Sequence, residues 1–139
     1  MTLSAFLRKI RQSEKGQTLV ELSLILPIVI ILLMGAIEFG RIFFTYLTVT
    51  HASREAARAT VIYTGKDDTF IKQKVQESAS WLNAAGLVVE VTPSSPASRT
   101  TGVSLTVSVK YPVQLYTPVL SDIMTNPFTV HAQTTMRIE

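Results

Sequence analysis

Between Leu22 and Ile37 the chain carries no charged residue, and from Leu19 to Ile37 it is almost wholly aliphatic, interrupted chiefly by Glu21, Ser23 and Pro27. Nineteen residues of α-helix rise about 28 Å, close to the roughly 30 Å of a bilayer's hydrocarbon layer. A buried helix of that length in a soluble core normally shows polar residues at helical spacing on its outer side, and this segment does not. A membrane-spanning helix over residues 17–38 is therefore expected. The 139-residue chain leaves room for one modest domain beside it.

A sequence pI of 9.4 would suit a polyanion ligand if the positive charge lay on a folded surface. It lies elsewhere. Residues 1–16 hold Arg8, Lys9, Arg11 and Lys15 against Glu14, a net +3 that equals the formal charge of the whole chain, and residues 17–139 balance at nine basic and nine acidic side chains. A basic cluster ahead of an apolar helix works as a topology signal that keeps the N-terminus in the cytoplasm. Membrane lipid is thus an expected partner, and nucleic acid is not. With no cysteine, neither a disulfide framework nor a thiolate metal site is available.

The helix is expected to continue past the membrane, from about Gln17 to about Tyr63, with a kink at Pro27 and a break at Thr64-Gly-Lys66. Beyond Ile37, apolar or small residues recur at three- and four-residue steps through Phe43, Tyr46, Leu47, Thr50, Ser53, Ala56 and Ala57. Glu38 with Arg41, and Glu55 with Arg58, are i, i+3 pairs on that helix. A second helix should start at the capping residues Asp67-Asp68-Thr69 and end at Gly86.

The period then becomes two. Leu87 to Thr92 and Val103 to Val109 read as strands joined by the polar loop Pro93–Gly102, and Phe128 to Ile138 reads as a last strand. Pro112 and Pro118 bracket a segment whose Leu115, Val119, Leu120 and Ile123 suit a short helix on the sheet. The expected fold class is α+β: a long N-terminal transmembrane helix that continues into a small domain with a second helix and about three antiparallel strands.

The most informative stretch is Lys15-Gly16-Gln17-Thr18-Leu19-Val20-Glu21-Leu22, where a carboxylate stands inside the start of an apolar helix. An acidic residue deep in a membrane helix costs about 3 kcal/mol, so Glu21 needs a partner. If the chain were cut after Gly16, the new amine of Gln17 would lie one helical turn from Glu21. Each subunit would then carry one cation and one anion at the same end, and head-to-side contact could pair the Glu of one subunit with the amine of its neighbour, setting an axial register.

The basic leader, Gly16, Glu21 and the apolar run resemble a type IV prepilin. More narrowly, Gly16-Gln17-Thr18-Leu19-Val20-Glu21, Leu26-Pro27, Glu38-Phe39-Gly40-Arg41 and Ala52-Ser53-Arg54-Glu55-Ala56-Ala57-Arg58 are similar to the TadE-like family of the tight-adherence (Flp) pilus system. The likeness is close over about residues 16–60. It departs from many type IV pilins in placing Gln17, not Phe, first in the mature chain. The resemblance implies a minor pilin or pseudopilin of the bacterial inner membrane that helps assemble or initiate a thin adhesive pilus. It further implies cleavage between Gly16 and Gln17 by a prepilin peptidase, a leader over 1–16, a span over 17–38 and an exported pilin-like domain over 39–139. Other pilin or pseudopilin subunits and an inner-membrane assembly platform are its implied partners.

The remaining candidate groups have plainer explanations. His51 and His131, the two histidines, have no Ser or Asp arrangement that would make them catalytic, and Asp67 and Asp68 fit helix capping better than a cation site. No enzyme activity, cofactor or metal is expected. Glu38 and Arg41 have two readings, an ion pair where the helix leaves the bilayer or a contact with a neighbouring subunit. Ala52, Ala56 and Ala57 would admit another helix or the protein's own sheet. One rival for the whole chain is an uncleaved single-pass protein whose envelope-side domain binds a partner or ligand. Another is a secreted protein with a cleaved signal peptide, disfavoured by an apolar run too long for a usual signal segment.

Overall fold

The computed structural model describes residues 14–62 and 67–139. The basic leader before Glu14 and the expected break at Thr64-Gly-Lys66 lie outside the described residues. The chain divides into two compact units, Met1–Ile37 and Glu38–Glu139. Helix α1, Glu14–Ile62, contributes to both.

In the first unit, α1 is apolar all round. Among the described residues it is the one helix long and apolar enough to cross a membrane, with mean hydropathy 2.6 over its most apolar window, none of which is buried. Leu19, Leu24 and Leu32 are each about two-thirds exposed. An amphipathic helix would present one such face, whereas a helix apolar on all faces is suited to lipid, where its backbone groups satisfy one another. By length and composition this segment is suited to be a membrane anchor. The helix runs unbroken through Pro27. Proline removes one backbone donor there, and the Ser23 hydroxyl donates to the Val20 carbonyl at 2.7 Å in the turn before it.

In the second unit, the rest of α1 buries a narrow stripe of small side chains. Val49, Ala52, Ala56 and Ala57 are fully buried against Ile71 and Val75 of α2 (Asp68–Ser78) and against the sheet residues Leu105, Val107 and Val109. Small side chains let the helix backbone approach the other layers closely, which explains why Phe43, Tyr46 and Leu47, read at the same helical steps, instead face outward. Ala52, Ala56 and Ala57 thus serve the protein's own core. Three hydroxyls along the stripe have partners: Thr45 and Thr60 donate to the carbonyls of Arg41 and Ala56 at 2.9 and 2.7 Å, and Ser53 meets Thr134 at 2.9 Å, whereas the buried Thr50 hydroxyl has none among the described residues.

The sheet has three antiparallel strands in the order β1 (Val88–Thr92), β2 (Ser104–Val113), β3 (Phe128–Arg137). Val107 of β2 pairs with Val91 on one side and Thr134 on the other. Alternation along β2 turns Leu105, Val107 and Val109 inward and leaves Thr106, Ser108 and Lys110 on the outer face. With one transmembrane-length helix, a second helix and this sheet, the fold is α+β.

Three local expectations change. Helix α2 ends at Ser78, where the Ala79 N–H bonds to the Val75 carbonyl at 2.9 Å, so Gly86 does not terminate it. Gly86 instead closes a short 3-10 turn, Ala84–Gly86, and lies against Tyr111: a β-carbon there would fall 2.9 Å from Cε2 of that ring. Pro112 lies inside β2, beyond Lys110, where pairing with β1 has ended and a missing N–H is tolerated. The following helix α3 spans only Pro118–Ile123, with Pro118 in its first turn. Ile123 is exposed, while Leu115 is buried in the linker before α3. Val119 is not among the residues whose side chains are described.

The polar β1–β2 loop is anchored through a buried arginine. The Arg99 side chain is fully buried; its Nε donates to the Pro93 carbonyl at 2.9 Å and its Nη2 to Asp68 Oδ1 at 2.6 Å. Gly102 closes the loop with φ of 88°, a left-handed conformation suited to glycine, and its N–H reaches the Ile138 carbonyl at 2.7 Å. Replacing Arg99 by Leu would strand buried carbonyls and is expected to cost about 2–3 kcal/mol, since Asp68 retains water access. Loss of the exposed Glu90–Lys110 pair through Lys110→Ala should cost less than about 1 kcal/mol. Thermal unfolding of both full-length variants in detergent, followed by near-ultraviolet circular dichroism, checks the contrast.

Candidate functional site

The candidate residues fall into two groups, one in each unit. The first stands at the head of α1. The Gly16–Gln17 peptide bond is helical within the described residues. Gln17 and Glu21 are both exposed, and their i, i+4 spacing puts them on one helix face. Among the described residues Glu21 has no ion pair or side-chain hydrogen bond. Every large apolar side chain around it is exposed too, including Leu19, Val20, Leu22 and Leu24. What the arrangement offers chemically is an acceptor on an apolar surface, which in a bilayer requires a cationic or hydrogen-bond-donating partner.

The second group is built on α1 at Glu38 and Arg41. Glu38 is buried, 4% exposed, and its Oε1 accepts from Arg41 Nη2 at 2.8 Å. Its other oxygen faces the Thr117 hydroxyl at 3.5 Å. Arg41 also donates to the Gln114 backbone carbonyl, and its guanidinium lies 4.4 Å from the centre of the Tyr116 ring. These two residues therefore hold the linker between β2 and α3 of their own domain. Asn126 closes that linker from the other side, accepting from the Leu115 N–H at 3.0 Å and donating to the Leu115 carbonyl at 3.1 Å.

Sequence reasoning found the local i, i+3 pair but not Gln114, Tyr116 or Thr117. They lie more than seventy residues away, and no nearby pattern marks them. Their one sequence signal is the Pro112 to Pro118 bracket, which marks a linker without saying what it touches. The other polar candidates stay apart. His51 is exposed on α1, and His131 on β3 meets the Ser108 hydroxyl at 3.0 Å. Asp67 caps α2 by accepting from the Phe70 N–H at 3.4 Å, and Asp68 serves Arg99. Among the described residues no three His, Cys, Asp or Glu side chains gather where a metal could be held.

Because Glu38 is buried and shared between Arg41 and Thr117, Glu38→Leu is expected to cost about 1–3 kcal/mol and to loosen the linker. Hydrogen exchange of the full chain in detergent should show faster exchange at Leu115 and Tyr116 in that variant. Thr117→Val, which removes only the longer contact, should cost about 1 kcal/mol or less and leave exchange close to wild type.

No curated protein and no solved structure matches the chain. The two residue groups nevertheless lie within one recognisable segment. Residues 16–58, from the glycine before the polar head of α1 through Glu38, Arg41 and the buried alanine stripe, match the family model described as TadE-like protein.

Proposed function

We propose that the protein is a minor pilin or pseudopilin that helps assemble or initiate a tight-adherence type IV pilus. Prepilin peptidase removes residues 1–16, the span over 17–38 stays in the bacterial inner membrane until assembly, and the domain over 39–139 is exported. The observation that carries this reading is the TadE-like match beginning at Gly16, five residues before an exposed glutamate that has no partner among the described residues. The family likeness points to a protein associated with the Tad pilus. The role, the processing and the partners are our inference from the head of α1.

The physical argument runs through Glu21. Its carboxylate costs about 3 kcal/mol deep in a membrane helix. Cleavage after Gly16 creates an amine on Gln17 one turn away, so mature subunits present complementary charges at the same end. Pairing the carboxylate of one subunit with the amine of the next offsets the cost of both and fixes the axial offset between neighbouring helices. Lateral association also covers the apolar flanks of α1 that are exposed among the described residues. The assembly platform and other pilin subunits are the partners this scheme requires.

Intact mass of the chain recovered from membranes of a strain with an active prepilin peptidase should show loss of residues 1–16, and Gly16→Ala should abolish that loss. A full-length wild-type product would favour the uncleaved single-pass reading instead. Glu21→Leu should insert and be cut normally yet co-purify poorly with other subunits; normal co-purification and piliation would remove the charge-pairing scheme.

A further inference from the structure

The exposed aromatic side chains of the folded domain are concentrated at one level of the molecule. Six are exposed among the described residues, namely Phe39, Phe43, Phe44, Tyr46, Trp81 and Tyr116. All six line one of two grooves beside residues 39–46 of α1. Phe39, Phe43 and Tyr46 border the groove against the start of β3, with the Phe39 and Phe43 rings stacked at 6.3 Å. Phe44, Trp81 and Tyr116 border the groove on the opposite flank, beside the end of β2. The outer face of the sheet, by contrast, presents Thr106, Ser108, Lys110, His131, Gln133 and Thr135 and no Phe, Tyr or Trp ring.

We propose that this aromatic belt seats the exported domain in the headgroup layer of the bilayer, with lipid as its occupant. The belt begins at Phe39, two residues after the last residue of the uncharged run, so the chain itself delivers it to the membrane surface. Residues 39–46 rise about 10 Å along the helix, comparable with the roughly 5–8 Å of headgroup region on each side of a bilayer. Trp and Tyr favour this layer because they pair an apolar ring with a polar atom. Arg41 is the one Lys, Arg, Asp or Glu side chain lining either groove; it is about one-third exposed and positioned over Tyr116, where its charged end can meet lipid phosphate. Rings on both flanks of the helix suit a surrounding layer better than a single protein partner, which would cover one groove.

The inference rests on α1 being a membrane anchor, and Trp81 makes it testable because it is the only tryptophan and is 85% exposed. The full chain is reconstituted into phosphatidylcholine and phosphatidylglycerol vesicles, with the acyl chains either unmodified or brominated near the headgroup end. Vesicle flotation confirms insertion. Trp81 emission is expected to shift to shorter wavelength and to fall roughly two-fold with the brominated lipid. Moving the reporter to the polar sheet face with Trp81→Phe and Thr135→Trp together should abolish the quenching. Co-flotation with unquenched Trp81, or equal quenching at both positions, overturns the belt while leaving the anchor intact. Quenching that depends on protein density and not on bromination assigns the grooves to subunit contact and overturns it as well. A chain that does not float with the vesicles removes the anchor and the belt together.

Discussion

Helix α1 has to satisfy two environments with one continuous run of backbone, and the other structural features follow from how its side chains divide that task. Up to Ile37 large aliphatic residues point in every direction, which no fold of this size could cover and which a bilayer accepts. From Glu38 onward the large residues withdraw to the outer side, and the inner stripe shrinks to Val49, Ala52, Ala56 and Ala57. Removing side-chain volume there brings the helix backbone close to α2 and the sheet. A leucine in place of Ala56 would need space that fully buried neighbours do not leave.

Where the two environments meet in sequence, the chain places a buried carboxylate. Glu38 would be costly without partners, and Arg41 and Thr117 supply them while tying down the linker before α3. This is the reverse of Glu21, which is also set in the helix but finds no partner among the described residues. One glutamate is satisfied by folding, and in the proposed function the other is satisfied by assembly. The same chemistry thus serves stability at position 38 and registry at position 21.

Much of this was legible in the sequence because it is written in local period. The uncharged run and the three- and four-residue steps after it marked α1, expected from Gln17 to Tyr63 and helical over the described Glu14–Ile62, and alternation marked β2 and β3. Features set by distant contacts were not legible. Gly86 reads as a helix stop until the Tyr111 ring is seen against it, Pro112 reads as the bracket of a linker until β2 is seen to run through it past the end of β1, and the loop holding Arg99 reads as simply polar until the carbonyl and Asp68 partners of that side chain surround it. At the candidate site the i, i+3 spacing revealed Glu38 with Arg41, whereas Gln114, Tyr116 and Thr117 depend on a chain return that no local pattern encodes. The aromatic belt was hidden for the same reason, since Trp81 and Tyr116 join Phe44 only in the folded domain.

The central claim is that Glu21 is matched by an amine that exists only after cleavage at Gly16. Cells co-producing wild-type chain and the Gly16→Ala variant, separated into assembled and unassembled membrane fractions and read by intact mass, test it most directly. The account predicts that every copy in the assembled fraction lacks residues 1–16 and that the uncut variant is confined to the unassembled fraction. Uncut chain in the assembled fraction at the same proportion as cut chain would contradict it.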